Sequence, residues 1–348
     1  MERARVNRRP TIVSSVLLAA ALLGLGGGRG WGAEGTSDPS PGTSAGEKPA
    51  VIVVLGAPGE EAFGEKFRTW GERWLAAART GGATAIPIGF DPATATNSAS
   101  QLRAALEAQP RDGAGDLWLV LIGHGTFDGR DARFNLVGSD ITAGELSLMV
   151  KPFERRLAVV DCSSASGPFL NALSRTNRIV VVATKSGSEQ NFTRYGDFLS
   201  AALTDPEADL DKDGQVSLLE AHLTASKRTI DFYHLEGRLA TEHALIDDNG
   251  DGLGTPGDWF RGVRAVKKAK DGAEPDGLRA HQVCLIPNEA ERNLPAAIRH
   301  RRDEIELGIA RLRDRKSSMP EAAYYAELEP LLQELARLYA SAEKPAGR

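Results

Sequence analysis

Five apolar runs punctuate this chain, each ending abruptly in small or polar residues: PAVIVVLGAPG (Pro49 to Gly59), ATAIPIGF (Ala83 to Phe90), LWLVLIGHGTFDG (Leu117 to Gly129), RLAVVDCSSASG (Arg156 to Gly167) and NRIVVVATKSG (Asn177 to Gly187). Their length and β-favouring residues predict buried strands. Between them the hydrophobic period changes to that of helices. Phe63, Phe67, Trp70 and Trp74 fall on one helical face, a serine opens SASQLRAALEAQ (Ser98 to Gln109), and a further helix is expected near Ala143 to Val150. Strands alternating with helices predict an α/β fold, a mostly parallel sheet with helices on both faces.

In such sheets, chemistry gathers beyond the carboxyl ends of the strands. Two reactive side chains fall there, His124 in the third run and Cys162 in the fourth. A thiol needs a base to become a thiolate, and an imidazole on a neighbouring strand end can serve. Gly125, next to the histidine, permits close backbone approach, and its N–H is a candidate oxyanion donor.

Histidine then glycine at one strand end, with an acid and a cysteine at the next, resembles the caspase and legumain clan of cysteine peptidases. The resemblance spans roughly Pro49 to Leu203, and ATKSGSEQNFTRYGDFL fits the region after the cysteine in legumain-like members. It implies a caspase-like fold in which His124 is the general base, Gly125 an oxyanion donor and Cys162 the nucleophile. In that mechanism the thiolate attacks a peptide carbonyl and His124 then protonates the leaving amine. Clan members read acid, small residue, cysteine, any residue, serine, glycine. Here Asp161 directly precedes Cys162, and the Ser-Gly pair is Ser166-Gly167. Anchoring on Asp161 puts Ser163 in the nucleophile slot, anchoring on the Ser-Gly pair puts Ser164 there, and only a shifted register puts Cys162 there. Two functions stay open: a cysteine endopeptidase, or a pseudopeptidase that keeps the fold as a binding or scaffold module.

The most specific local pattern is DLDKDGQVSLLE, Asp209 to Glu220, which meets the EF-hand calcium loop at each position the chemistry requires. Asp209, Asp211 and Asp213 supply carboxylates, Gly214 the sharp turn, Gln215 a backbone carbonyl, and Ser217 the ninth position. Glu220 closes the set with two oxygens. Flanking helical patterns, from Tyr195 to Leu203 and from Leu218 to about Gly237, complete an EF-hand-like helix–loop–helix. A second acidic stretch, DDNGDGLGTPGD, puts Asp247, Asn249, Asp251, Thr255 and Asp258 at comparable positions. Gly254 and Pro256 depart from the pattern, leaving a weaker metal site, an irregular loop or a plain turn.

A basic start followed by an apolar run of about 14 residues reads as an export signal over residues 1–33. An uncleaved membrane anchor is the alternative. A polar tether, 34–48, leads to the α/β domain, 49–267, which includes the 209–220 loop; residues 268–287 read as a linker and 288–342 as a C-terminal helical hairpin. In that hairpin Ile298, Ile305, Ile309 and Leu312 form one stripe, and Tyr324, Leu328, Leu332, Leu335 and Tyr339 the other, making it a candidate docking surface for a protein partner. Export places the protein in a periplasmic or secreted setting, where Ca2+ fills sites of about 10⁻⁴ to 10⁻³ M affinity. With 348 residues and two cysteines the chain is no disulfide scaffold, although Cys162 and Cys284 pairing with each other would make Cys162 structural. A net charge of -5 with signs interspersed gives no footprint for nucleic acid, and no membrane contact is expected after signal removal. The expected substrate is a protein or peptide.

Overall fold

The computed structural model describes residues 48–91, 97–270 and 272–342. The expected export segment, and all of the tether except Lys48, lie outside the described residues. Among the described residues no helix is long and apolar enough to cross a membrane.

The strands are β1 (Ala50–Leu55), β2 (Thr84–Ile88), β3 (Leu117–Ile122), β4 (Gly125–Phe127), β5 (Ala132–Phe134), β6 (Ile141–Thr142), β7 (Leu157–Asp161), β8 (Arg178–Val182), β9 (Leu245–Asp247), β10 (Thr255–Pro256), β11 (Phe260–Arg261) and β12 (Arg264–Ala265). Seven of them form one sheet in the order β10-β9-β8-β7-β3-β1-β2. The pairings among β2, β1, β3, β7 and β8 are all parallel, and β9 and β10 close the edge antiparallel. Thus the α/β expectation of a mostly parallel sheet holds. The run Leu117 to Gly129 is not one strand: it leaves the sheet after Ile122, and β4 starts a separate three-stranded sheet with β5 and β6.

The helices are α1 (Glu61–Thr80), α2 (Ser98–Glu107), α3 (Ala143–Val150), α4 (Gly167–Leu173), α5 (Tyr195–Ala202), α6 (Leu218–Leu235), α7 (Glu289–Asn293), α8 (Ala296–Arg315) and α9 (Glu321–Ala342). Alternation along the buried strands sends side chains to two cores. Val53, Val120, Val160 and Val181 lie side by side and pack with Phe67, Trp70 and Trp74 of α1 and with Tyr195 and Leu199 of α5. Ile52, Leu119, Val159 and Val180 point the other way, toward Leu102 of α2, Leu146 of α3 and Phe169 of α4.

The order turns back between β1 and β3, because β2 continues to one side of β1 and β3, β7 and β8 to the other. A crevice opens at such a reversal, beyond the strand ends. Here the two backbones converge: a Cβ on Gly56 would lie 3.2 Å from Gly123 Cα and 2.6 Å from the Asn135 carbonyl. Glycine is the residue that fits.

Residues 268–287 are not a free linker. Val283 and Ala280 are fully buried, Leu218 N–H donates to the Val283 carbonyl at 2.7 Å, and Cys284 forms a β-bridge with Ser217. The anchor is a crossed pair of buried carboxyls. Asp276 accepts the N–H groups of Asp248 and Asn249 and the Thr255 hydroxyl, while Asp248 accepts those of Gly277, Arg279 and Ala280. Burial and the neighbouring Asp248 charge push Asp276 up to about 8.

The C-terminal hairpin is present as α8 and α9, preceded by the short α7 and joined by a turn at 316–318. Ile305, Leu312 and Tyr324 are its buried apolar residues, whereas Leu332 and Tyr339, expected on the second apolar stripe, are exposed. Helix α8 is tied to the domain by charge. Asp303 meets Arg156, which also forks onto Asp116, and Gln282 Nε2 donates to the Asp303 carbonyl at 2.8 Å.

Candidate functional site

His124 leaves the sheet two residues beyond β3, and its ring sits edge-on to Phe63 and Phe67 of α1 and to Phe192. Its Nε2 lies 3.2 Å from the Pro58 carbonyl. A carbonyl can only accept, so Nε2 carries the hydrogen and Nδ1 is the unprotonated nitrogen of the neutral ring. Burial lowers the pKa of this imidazole, against the smaller raising effects of Pro58 and Glu60, which keeps it neutral at pH 7. A base held in one tautomer by a third group is half of a nucleophile-activating device.

The other half is not assembled around sulfur. Cys162 N–H still donates to the Leu121 carbonyl at 2.9 Å, so the residue belongs to the hydrogen-bonded ladder that extends β7. Alternation therefore sends its side chain into the same core as Val160, between Trp70 and α5; a Cβ on Gly196 would lie 2.9 Å from Cys162 Cβ and 3.0 Å from the Trp70 ring. The thiol is 0% exposed. Burial first, then the charges of Asp161 and Glu242, push its pKa well above the ordinary thiol value. Among the described residues no hydrogen bond joins His124 to Cys162, and both cysteines are free, so the alternative of a Cys162–Cys284 disulfide is not realised.

The two serines are occupied. Ser163, fully buried, donates from its hydroxyl to Asp161 Oδ1 at 2.6 Å, and its N–H donates to the same oxygen at 2.9 Å. Asp161 Oδ2 has no partner, and burial raises this carboxyl to about 6. Ser164 Oγ accepts the Gly125 N–H at 3.1 Å and lies 3.1 Å from the Gly125 carbonyl, to which it donates. The oxyanion donor expected from Gly125 is thus spent on a side chain. The absent side chain of Gly125 also makes room for the protein itself: a Cβ there would sit 2.1 Å from the Ser164 carbonyl oxygen. Beside the imidazole, the Phe63 and Phe192 rings lie 4.7 Å apart, tilted by 40°, with the Lys66 ammonium over both.

The acidic loop lies between α5 and α6. It runs from a turn after α5 into α6, and Gly214 takes the left-handed φ of 87° that the sharp turn requires. Asp209 Oδ1 and Oδ2 accept the N–H groups of Lys212, Asp213 and Gly214, Ser217 caps α6, and Glu220 completes a capping box with it. Glu220 is 1% exposed, yet its Oε1 also accepts the N–H groups of Leu210 and Asp211. One carboxylate oxygen from each of Asp209, Asp211 and Asp213 lies within 4.8 Å of the others. Burial, with the nearby Asp211 and Glu220 charges, raises the Asp213 carboxyl. This crowding of oxygen donors fits a hard divalent cation. Gln215 adds a side-chain role unseen in the sequence, donating to Asp213 Oδ2 and accepting from Asn288 N–H.

The second acidic stretch spans the connection between β9 and β10 and ends in a single 3-10 turn, Gly257–Trp259, rather than an α-helix. Asp247 accepts the N–H groups of Gly250 and Gly252, Asn249 that of Asp251, and Asp251 that of Leu253, reproducing the first half of the loop. Asp258 instead pairs with Lys267 at 2.6 Å. Among the described residues, the acidic loop also meets a metal-capable group not evident from the sequence, His281, whose Nε2 is 3.0 Å from Asp211 Oδ2.

No family model matches the chain, and no curated protein does either. Among solved structures, it is similar to the Drosophila initiator caspase Dronc at a TM-score of 0.40 and 11% identity, over 60% of this chain and 82% of that one. It is also similar to a protein from Geobacter sulfurreducens, at 0.38 and 13%, over 58% and 95% of the two chains. Caspase-1 from Spodoptera frugiperda gives 0.37 and 10%, over 61% and 92%.

The packing behind Gly125 yields a direct check. Gly125→Ala is expected to destabilise the fold by about 3 kcal/mol in urea unfolding, because two backbones must part. Gly144→Ala on α3, where a Cβ meets nothing within 4 Å, should be neutral or slightly stabilising. Equal stability of the two variants would contradict the close contact between Gly125 and the Ser164 turn.

Proposed function

We propose that this protein is an exported, calcium-stabilised module of caspase-like architecture that does not act as a cysteine peptidase and works instead by binding other proteins. The observation that carries this reading is the placement of Cys162: an unexposed thiol in the sheet's own ladder, with its pKa raised and its side chain packed beneath Trp70 and α5. A nucleophile must meet a base and a substrate carbonyl, and this sulfur meets neither. The serines in the neighbouring slots do not replace it, since each hydroxyl is buried and already bonded.

Calcium in this reading is structural. Asp209, Asp211, Asp213 and Glu220 would hold it, with the Gln215 carbonyl and Ser217 in their loop positions, and the ion would supply positive charge that offsets the carboxylates gathered between α5 and α6. The chain's own contribution is the fixed turn and the capping box that present those oxygens. The second acidic stretch, whose Asp258 carboxylate is taken up by Lys267, would bind more weakly.

One observation favours the rival endopeptidase: the Pro58 carbonyl holds His124 in the tautomer a general base needs. Hydrolysis decides between them. Incubated with a diverse peptide library under reducing conditions and millimolar calcium, the mature chain is expected to cleave nothing, as are Cys162→Ala and Ser164→Ala. Cleavage by the wild type that disappears in Cys162→Ala would overturn the reading.

Calcium has its own measurement. At a hundredfold excess over its dissociation constant, the ion is expected to add about 2.7 kcal/mol and raise the melting temperature by several degrees. Glu220→Gln should abolish that increment, and a calcium-independent melt of the wild type would remove the ion from the account.

A further inference from the structure

The acidic loop gathers a group from outside its own pattern. His281 lies in the short turn Ala280–Gln282, far along the chain from Glu220, yet one ligand atom from each of Asp211, Glu220 and His281 lies within 4.8 Å of the others. The turn is fastened on both sides. Asp248 Oδ2 accepts the N–H groups of Arg279 and Ala280 at 2.7 and 2.8 Å, and the Val283 carbonyl accepts that of Leu218 at the start of α6. His281 is therefore carried by the frame that also carries Glu220, so the three groups are pre-positioned. A cavity of about 850 Å³, lined in part by Asp211, Asp213, Gln215 and His281, gives an ion access to Asp211 and His281, with Glu220 buried beside them.

The donor set differs from that of the calcium pattern. A loop of carboxylates and a carbonyl suits a hard cation, whereas an imidazole nitrogen with two carboxylates suits borderline ions such as zinc, usually with water in the remaining position. We propose that Asp211, Glu220 and His281 form a mixed nitrogen–oxygen site for a borderline divalent cation of the zinc type. It shares two carboxylates with the calcium loop, so the two ions exclude one another; this competition rests on the calcium reading above, while the trio itself does not. Binding displaces any proton on His281 to solvent and replaces its contact with Asp211 by two metal bonds.

Isothermal titration of the metal-free full chain with zinc chloride and, separately, calcium chloride tests this in the wild type, His281→Gln and Asp209→Asn. The wild type is expected to bind zinc. His281→Gln should weaken zinc binding at least about tenfold and leave calcium binding unchanged, while Asp209→Asn should weaken calcium and spare zinc. A wild type that takes up calcium alone, or a His281→Gln variant with undiminished zinc affinity, would overturn the proposal and leave His281 as a plain ion-pair partner of Asp211. A wild type that binds zinc in a His281-dependent way but no calcium would support the site while sinking the calcium reading. Should His281→Gln fail to fold, zinc-dependent movement of the wild-type His281 Nε2 resonance decides the matter, and its absence counts against the site.

Discussion

The hydrogen-bonded register of the parallel sheet is the constraint from which the rest follows. Once β7 pairs with β3 and β8, alternation fixes which side chains face which core, and the ladder continues one residue past Asp161 through the Cys162 N–H. Cys162 must then point with Ala158 and Val160 toward α1 and α5, and Asp161 toward the opposite face. The chain turns only afterwards, over Ser163 and Ser164, with Ala165 in the left-handed region at φ 55°. The residues that reach the strand end are serines, and the sulfur stays below it. That single step of register separates an imidazole held like a general base from the thiol the composition offers it.

The same frame supports the acidic loop. Helices α5 and α6 lie on the Cys162 side of the sheet, and the loop between them is braced from behind by the segment 276–287, itself clamped by Asp248 and Asp276. Loop, brace and α8 are linked through His281, Asn288, Gln282 and Asp303. An ion bound in the loop would thus be coupled to the docking of the C-terminal hairpin through backbone-anchored contacts, most of them with defined donors and acceptors.

Much of this was legible in the sequence, for physical reasons that also explain what was not. Buried parallel strands read as uninterrupted apolar runs, and the α1 aromatics repeat at helical spacing, with Phe67, Trp70 and Trp74 indeed buried. The turn and capping box of the acidic loop are readable because their partners are local, each set by a fixed offset. His281 was invisible because it reaches the loop through tertiary folding. The segment 268–287 reads as a linker since its first half is polar, yet Asp276 within it accepts the N–H groups of Asp248 and Asn249, and Asp248 in turn accepts those of Gly277 and Arg279. On α9 it is Leu331, next to Leu332 in sequence, that lies against Gly308 of α8, which leaves Leu332 exposed. Short strands β4, β5 and β6 carry too few residues for alternation to show. For Cys162, Ser163 and Ser164, only the ladder distinguishes three adjacent registers.

The ionisation of Cys162 tests the central claim most directly. Carbon-13 NMR of cysteine-labelled full chain, with Cys284→Ser to assign the remaining signal, follows the Cβ shift as pH rises. The account predicts a thiol that stays protonated through pH 9, because burial raises its pKa above the ordinary value. A thiolate already present at pH 7 would contradict it and return Cys162 to the role of nucleophile.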